Sequence, residues 1–329
     1  MPAASWMVHP TGPAVTSLRV SVVVPTFERP ARLPGLVAAL EAQTLPRDEF
    51  EVIISDDGSR DETAAVLADL AARSSLDLRV ISAPQNRGPG PARNAGWRAA
   101  RGPVVAFTDD DCVPSPGWLE AGLAAMDATG AGIVQGRTIP DPSSPLDIRI
   151  SRSQRIEAFS NRYETCNIFY RTDVLRAMNG FDESIYFFGE DTDLGWRAAA
   201  DGARSGYSAE AFVYHEVIPH TVRWRWRYAL QHGNWALLIR RYPEMRKEML
   251  IYRFFTNRVH VGFLAALAGA VIAPFWLPGL ALAIPYVWHR RPRGLHRSAL
   301  VGPLLDTLYD AMMVFGLVVG SVRERTLVL

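Results

Sequence analysis

Three consecutive carboxylates, Asp109-Asp110-Asp111, are the residues of this sequence whose types and spacing most plainly could do chemistry. They follow the apolar run Gly102 to Thr108 (GPVVAFT), so their mutual repulsion is costly unless a cation neutralises them. Mg²⁺ and Mn²⁺ prefer carboxylate oxygen, and bind through one or two protein carboxylates together with substrate phosphates. A solvated turn explains most acidic triplets taken alone. This one has company: Asp56-Asp57-Gly58-Ser59 also follows an apolar run, although by itself it too reads as a turn. Between the two lies Asn86 to Gly96 (NRGPGPARNAG), where glycines permit close backbone approach and Arg87 and Arg93 could meet phosphates. A loop leading into a helix cap is the plainer account of that stretch. It is no P-loop, since the lysine is missing, and it lacks the dinucleotide-binding glycine pattern.

Further along, Phe188 to Leu194 (FGEDTDL) sets Glu190 and Asp191 before a helix. Acids there either cap the helix or act as a general base on an acceptor hydroxyl. His215, after an expected strand, could complete a metal site, touch phosphates, or be purely structural. Lys247 is the sole lysine, which leaves almost no candidate for a lysine base or Schiff base. Cys112 and Cys166 have no metal-ligand spacing, so neither a zinc site nor a disulfide framework is expected, and a reduced, cytoplasmic catalytic face is the default.

These groups need elements to hold them. Leu18 to Val24, Phe50 to Ser55, Val80 to Ala83 and Gly102 to Thr108 read as buried strands, with helices expected from about Ala31 to Ala42 and from Asp61 to Ala72. That alternation predicts an α/β fold with a parallel, doubly wound sheet, which binds ligands in the crevice just past its strand ends. Pro140 to Arg155 reads as a loop or a change of subdomain.

The chain has 329 residues, 35 basic against 34 acidic side chains, a formal net charge of +1 and 48% hydrophobic residues. That is ample for a buried core, and it gives no reason to expect a nucleic-acid partner. Residues 1–17 read as a flexible tail without a secretory signal. Val261 to Trp288 carries no charge and is interrupted by Pro274, Pro278 and Pro285. Arginines on both flanks favour a re-entrant hairpin in a membrane. Ser298 to Val322 has only Asp306 and Asp310 as charges, four apart on one helical face. Each costs about 2.5–3.5 kcal/mol at a bilayer centre, so an amphipathic helix lying in the interface is expected there. The alternative is the core of a soluble C-terminal domain. Arg223-Trp224-Arg225-Trp226-Arg227 suits headgroup depth, or equally a packed, solvated helix.

The order of motifs Val24-Pro25-Thr26, Asp56-Asp57-Gly58-Ser59, Ala92-Arg93-Asn94-Ala95-Gly96, Asp109-Asp110-Asp111, Asn179-Gly180-Phe181-Asp182-Glu183 and Glu190-Asp191 resembles the family 2 glycosyltransferases of GT-A fold, over about residues 18–220. The resemblance implies a Rossmann-like, mainly parallel sheet flanked by helices, here with a C-terminal membrane-associated helical segment. The expected parts are a tail at 1–17, the catalytic domain at 18–220, an amphipathic helical connector at 221–258 and membrane-associated helices at 259–329. It further implies an inverting transfer from a nucleotide-diphospho-sugar, UDP favoured, to a lipid-linked or cell-surface glycan. Asp191, beside Glu190, would be the base. Pro25, Thr26, Glu28 and Asp57 would hold the nucleoside, Arg93 the phosphates, and Asp109 and Asp110 would also line the donor site. Asp111, with Asp109 and His215, would hold Mg²⁺ or Mn²⁺. The place expected for such an enzyme is the cell membrane, with its catalytic domain on the cytoplasmic side.

The glutamine-x-x-arginine-tryptophan motif of processive synthases is answered only by Gln231-His232-Gly233-Asn234-Trp235, which argues for transfer of one or a few sugars. Two alternatives are a sugar nucleotidyltransferase, whose glycine- and arginine-rich loop after the first strand is absent, and a non-catalytic nucleotide-sugar-binding membrane adaptor, against which Asp111 and Asp191 stand. Oligomeric state is not readable from the sequence.

Overall fold

A computed structural model describes residues 7–8, 18–144, 151–219, 221–291 and 297–329. They form two compact units, Met1–Pro219 and His220–Leu329. The strands in chain order are β1 (Met7–Val8), β2 (Val20–Thr26), β3 (Phe50–Asp56), β4 (Leu78–Ser82), β5 (Val104–Thr108), β6 (Cys112–Pro114), β7 (Ile133–Pro140), β8 (Ser151–Arg152), β9 (Asn167–Arg171), β10 (Ser205–His215) and β11 (Ile218–Pro219). Nine of them make one sheet in the order β1-β4-β3-β2-β5-β9-β7-β10-β6.

The four strands expected from the sequence form its parallel half, β4-β3-β2-β5. β2 lies between β3 and β5, so the chain winds outward from it in both directions and leaves a crevice where β2 and β5 end. Continuous β-branched runs suit this position because both faces are covered. Val22 and Val24 pack into one apolar layer while Val23 packs with Ile53, Val105 and Phe107 in the other. Each such fully buried side chain contributes about 1.5–3 kcal/mol. Helix Leu33–Glu41 buries Leu33, Leu36, Val37 and Leu40, the spacing of one helical face. Helix Pro89–Ala99 approaches β2 so closely that a Cβ on Gly96 would lie 2.4 Å from a methyl of Val23, which excludes any larger residue.

The other half departs from a purely parallel sheet. β9 runs antiparallel to both β5 and β7, and β6 runs antiparallel to β10. Two stretches without an expected strand carry short pairings. Within the tail, Met7–Val8 pairs as an edge strand with Ile81 and Ser82, while the rest of 1–17 lies outside the described residues. Within the expected loop at 140–155, Ser151–Arg152 pairs with Ile218–Pro219, and 145–150 lie outside the described residues.

The second unit is helical. Helix Arg258–Ile272 stops before Pro274, and the 3₁₀ turn Leu277–Ala283 folds back along it; a Cβ on Gly269 would lie 2.5 Å from the carbonyl oxygen of Gly279. Helix Val222–Gln231 crosses helix Arg297–Glu324 on small residues: a Cβ on Gly316 would meet the carbonyl of Ala229 at 1.9 Å, and one on Gly320 that of Gly233 at 2.2 Å. Gly233, from the segment compared with the processive motif, thus serves helix packing. Among the described residues one helical stretch, Gly302–Glu324, is long and apolar enough to cross a membrane. Its 23 residues measure roughly 34 Å. The expectation of an interfacial helix rested on the cost of two bare aspartates. Asp310 is instead buried, accepting hydrogen bonds from Tyr286 Oη at 2.7 Å and Arg290 Nε at 2.9 Å, while Arg290 Nη1 reaches Asp306 at 3.5 Å.

Candidate active site

The carboxylates gather at the crevice, and arginines organise them. Thr26, the last residue of β2, donates from Oγ1 to Asp110 Oδ2 at 2.7 Å. Arg29 Nη1 donates to Asp110 Oδ1 at 2.6 Å and to Asp111 Oδ2 at 3.1 Å. Asp110 is 4% exposed, and burial pushes its pKa up to about 6 although Arg29 opposes the shift. Asp110 is thus committed to holding Thr26 and Arg29, rather than lying open to a ligand.

Asp109 turns the other way, to Arg93. That buried guanidinium donates from Nη2 to Asp109 at 2.7 Å and from Nη1 to Glu190 Oε1 at 3.0 Å. One side chain on helix Pro89–Ala99 therefore ties the strand-end triplet to the start of helix Glu190–Ala200. Asp191, next on that helix, accepts from the amide of Thr192 at 2.7 Å. Burial and the neighbouring Glu190 charge push its pKa well above the ordinary aspartate range, with Arg93 opposing them. Burial raises Glu190 as well, against the pull of Arg93. A carboxylate with raised proton affinity at a cleft suits a general base.

Asp111 and His215 converge: His215 Nε2 lies 3.6 Å from Asp111 Oδ1, and its Nδ1 faces the Glu216 carbonyl oxygen at 2.8 Å. With Cys112 Sγ, their ligand atoms fall within 4.8 Å of one another. The β6–β10 ladder makes this meeting by placing Cys112 opposite His215. Burial holds the Cys112 thiol well above its usual pKa, hence neutral, so Asp111 and His215 are the donors suited to a hard divalent ion. Asp109 does not join this group, because Arg93 engages it.

On the opposite side, Asp57 accepts from the amides of Arg87 at 2.9 Å and Gly88 at 2.7 Å, which shapes the glycine loop. Its burial pushes the carboxyl to about 6. Gly58 has φ +76°, and a Cβ there would meet Gln85 backbone at 2.6 Å. The Glu28 amide donates to Ser59 Oγ at 2.8 Å with Glu28 in a left-handed conformation, φ +50°, and Pro25 is half-buried at the end of β2. Just before Glu190, Tyr186 and Phe187 expose about half their surface, and the Tyr186 ring lies against Gly88.

Reading the sequence missed Arg29, Cys112 and the Tyr186-Phe187 pair. Adjacency to the triplet and to Glu190 was the available signal for the last two, but nothing local shows that Arg29 turns back onto Asp110 and Asp111.

A mixed α/β sheet in this strand order, with carboxylates gathered past the ends of its parallel strands, is the architecture of the GT-A class. The comparisons agree. Residues 21–181 match the model of the family described as Glycosyl transferase family 2. The pre-mycofactocin glycosyltransferase of Mycobacterium tuberculosis is 32% identical over 258 residues, covering 74% of this chain and 52% of that protein. The chain thus spans about half the length of that relative. Among solved structures, the mannosyltransferase PcManGT from Pyrobaculum calidifontis, in complex with GDP-Man and Mn²⁺, superposes with a TM-score of 0.60 at 20% identity, covering 98% of this chain and 91% of that one. S. aureus TarS 1-349 in complex with UDP-GlcNAc gives 0.52 at 18% identity, covering 94% and 93%. This protein belongs to the family 2 glycosyltransferases, with a GT-A catalytic sheet.

Proposed function

We propose that the chain transfers a sugar from a nucleotide-diphospho-sugar to an acceptor hydroxyl with inversion at the anomeric carbon. The observation that carries this reading is Arg93, which joins Asp109 at the donor crevice to Glu190 beside Asp191. Donor and base are thereby fixed to one rigid hub, as a single in-line displacement requires. Pro25, Thr26, Glu28 and Asp57 would frame the nucleoside, the last two by shaping the loops around it. Asp191 would take the acceptor proton as the hydroxyl attacks. Its raised proton affinity favours that step, and Arg93 would stabilise the neighbouring charge. Tyr186 and Phe187 offer an acceptor sugar ring two apolar faces.

Asp111 and His215 would hold Mg²⁺ or Mn²⁺, which would supply electrostatic stabilisation of the departing diphosphate. PcManGT binds GDP-Man and TarS binds UDP and UDP-GlcNAc in their solved structures, so UDP- and GDP-sugars are the first donors to test, UDP first.

We assign the acceptor to the lipid-linked or surface glycans and place the helical unit, with the 221–258 connector and the 259–329 helices, at a cell membrane, its catalytic unit cytoplasmic. Support comes from the exposed Phe275, Trp276 and Leu277, at 91%, 62% and 70%, at the tip of a segment without charge. The test is release of nucleotide diphosphate from a donor panel by detergent-purified protein, with Mn²⁺, Mg²⁺ or chelator. Metal-dependent release that is lost in Asp111→Ala and Asp191→Ala supports the reading. Neither release nor calorimetric binding of any donor would sink it.

A further inference from the structure

Arg29 belongs to the carboxylate cluster, yet the motif order gave it no role. Its guanidinium reaches Asp110 Oδ1 at 2.6 Å and Asp111 Oδ2 at 3.1 Å, while the other oxygen of Asp111 faces His215. It therefore sits on the carboxylate that the function above gives to the metal. Its surroundings differ from those of Arg93. Arg93 is 6% exposed and locked between two acids, whereas Arg29 is 34% exposed and sits on the loop leaving β2, next to the left-handed Glu28. Asp110 and Asp111, at 4% and 9%, are fixed by the strand end that carries them. Of these groups, Arg29 is the one with a path outward.

We infer that Arg29 is a displaceable counter-ion: it neutralises Asp110 and Asp111 in the free enzyme, competes with the divalent ion for Asp111, and moves to the donor diphosphate when the nucleotide arrives. The physical basis is charge balance. Two adjacent carboxylates at a buried strand end need a cation, and a guanidinium on Asp111 Oδ2 both draws on the charge that would hold a divalent ion at Oδ1 beside His215 and repels that ion. A diphosphate offers the planar, bidentate anion that a guanidinium prefers. Drawing Arg29 away removes that repulsion and returns the full Asp111 charge to the metal, so nucleotide and metal bind cooperatively, each raising the affinity of the other by the same factor. Free enzyme then holds metal weakly, and the site assembles only around donor. This inference rests on the metal site given to Asp111 and His215 above.

The test is Mn²⁺ affinity, measured by electron paramagnetic resonance on the full chain in detergent, with and without UDP or GDP. The proteins compared are the native one, Arg29→Gln and the charge-conserving Arg29→Lys. Melting temperature is recorded for each without metal and with Mn²⁺. Arg29→Gln is expected to bind Mn²⁺ roughly three- to tenfold more tightly than native protein in the absence of nucleotide. It should also melt lower without metal, be restored by Mn²⁺, and lose most of the nucleotide-induced gain in Mn²⁺ affinity. Arg29→Lys should stay near the native values. Unchanged or weaker Mn²⁺ binding in a folded Arg29→Gln, with the nucleotide gain intact, overturns the inference and leaves the metal site standing. If Arg29→Gln does not fold, the native protein and Arg29→Lys decide the matter: a nucleotide-independent Mn²⁺ affinity in both overturns the inference. No Mn²⁺ binding by native protein under any condition overturns the metal site and the inference together.

Discussion

The sheet unit and the helical unit differ in what they leave outside: beyond the Asp310–Arg290 pair that the helices bury, the contrast is between charge held inside and apolar surface left exposed. At the strand ends the sheet unit buries charge: Asp110, Glu190 and Arg93 all lie under the surface, matched acid to base. The helical unit packs on glycines and leaves large apolar side chains outside, Phe275, Trp276 and Leu277 among them. Burying ions is costly unless each is paired, and it persists where chemistry needs preorganised charge. Exposing large apolar groups is costly in water, and it persists where another apolar phase covers them. Under the function proposed above, the first unit acts on a polar substrate and the second meets lipid.

That contrast can be tested from the strongest effect down. Asp191→Asn should lower transfer by about 10²–10⁴-fold, measured as nucleotide diphosphate release, yet raise the melting temperature at neutral pH. The rise should vanish in acid. A carboxyl whose pKa is raised by folding gives its stabilising contribution below the unfolded pKa and loses it as pH rises through the folded pKa, so only above that range does the native charge cost stability. If activity survives, Asp191 is not the base. Arg93→Met should destabilise by about 3–5 kcal/mol in denaturant titration, because it strands Asp109 and Glu190. A near-neutral result would mean that the buried acids do not depend on their hub.

In the helical unit, Gly320→Leu should cost about 1–3 kcal/mol by forcing the crossing against Gly233 apart, read as a lower melting temperature. Replacing Phe275 and Trp276 together by serine should leave the unfolding free energy within about 0.5 kcal/mol of native while weakening sedimentation with liposomes. Unchanged sedimentation would move the lipid contact elsewhere. The smallest effect expected is in the pH profile, where the acidic limb of activity should lie above the ordinary aspartate range because Asp191 keeps its proton longer.

The parallel half of the sheet was legible because each strand is a local apolar run buried on both faces and ended by polar residues, a pattern that needs no knowledge of the rest of the fold. The acids of the site were legible too, since strand ends and helix starts are local events. β9 was not, as its antiparallel insertion between β5 and β7 is settled by pairing far along the chain. The partners of the acids were equally hidden. Arg29 and Asp110 stand 81 positions apart, and Arg93 and Glu190 stand 97 apart. Asp310 read as a bare membrane charge until Arg290 was found beside it. Residue type and local period thus determined which groups this protein could use. Only tertiary structure decided which charge answers which, because electrostatic pairing depends on distance in space and carries no signature along the chain.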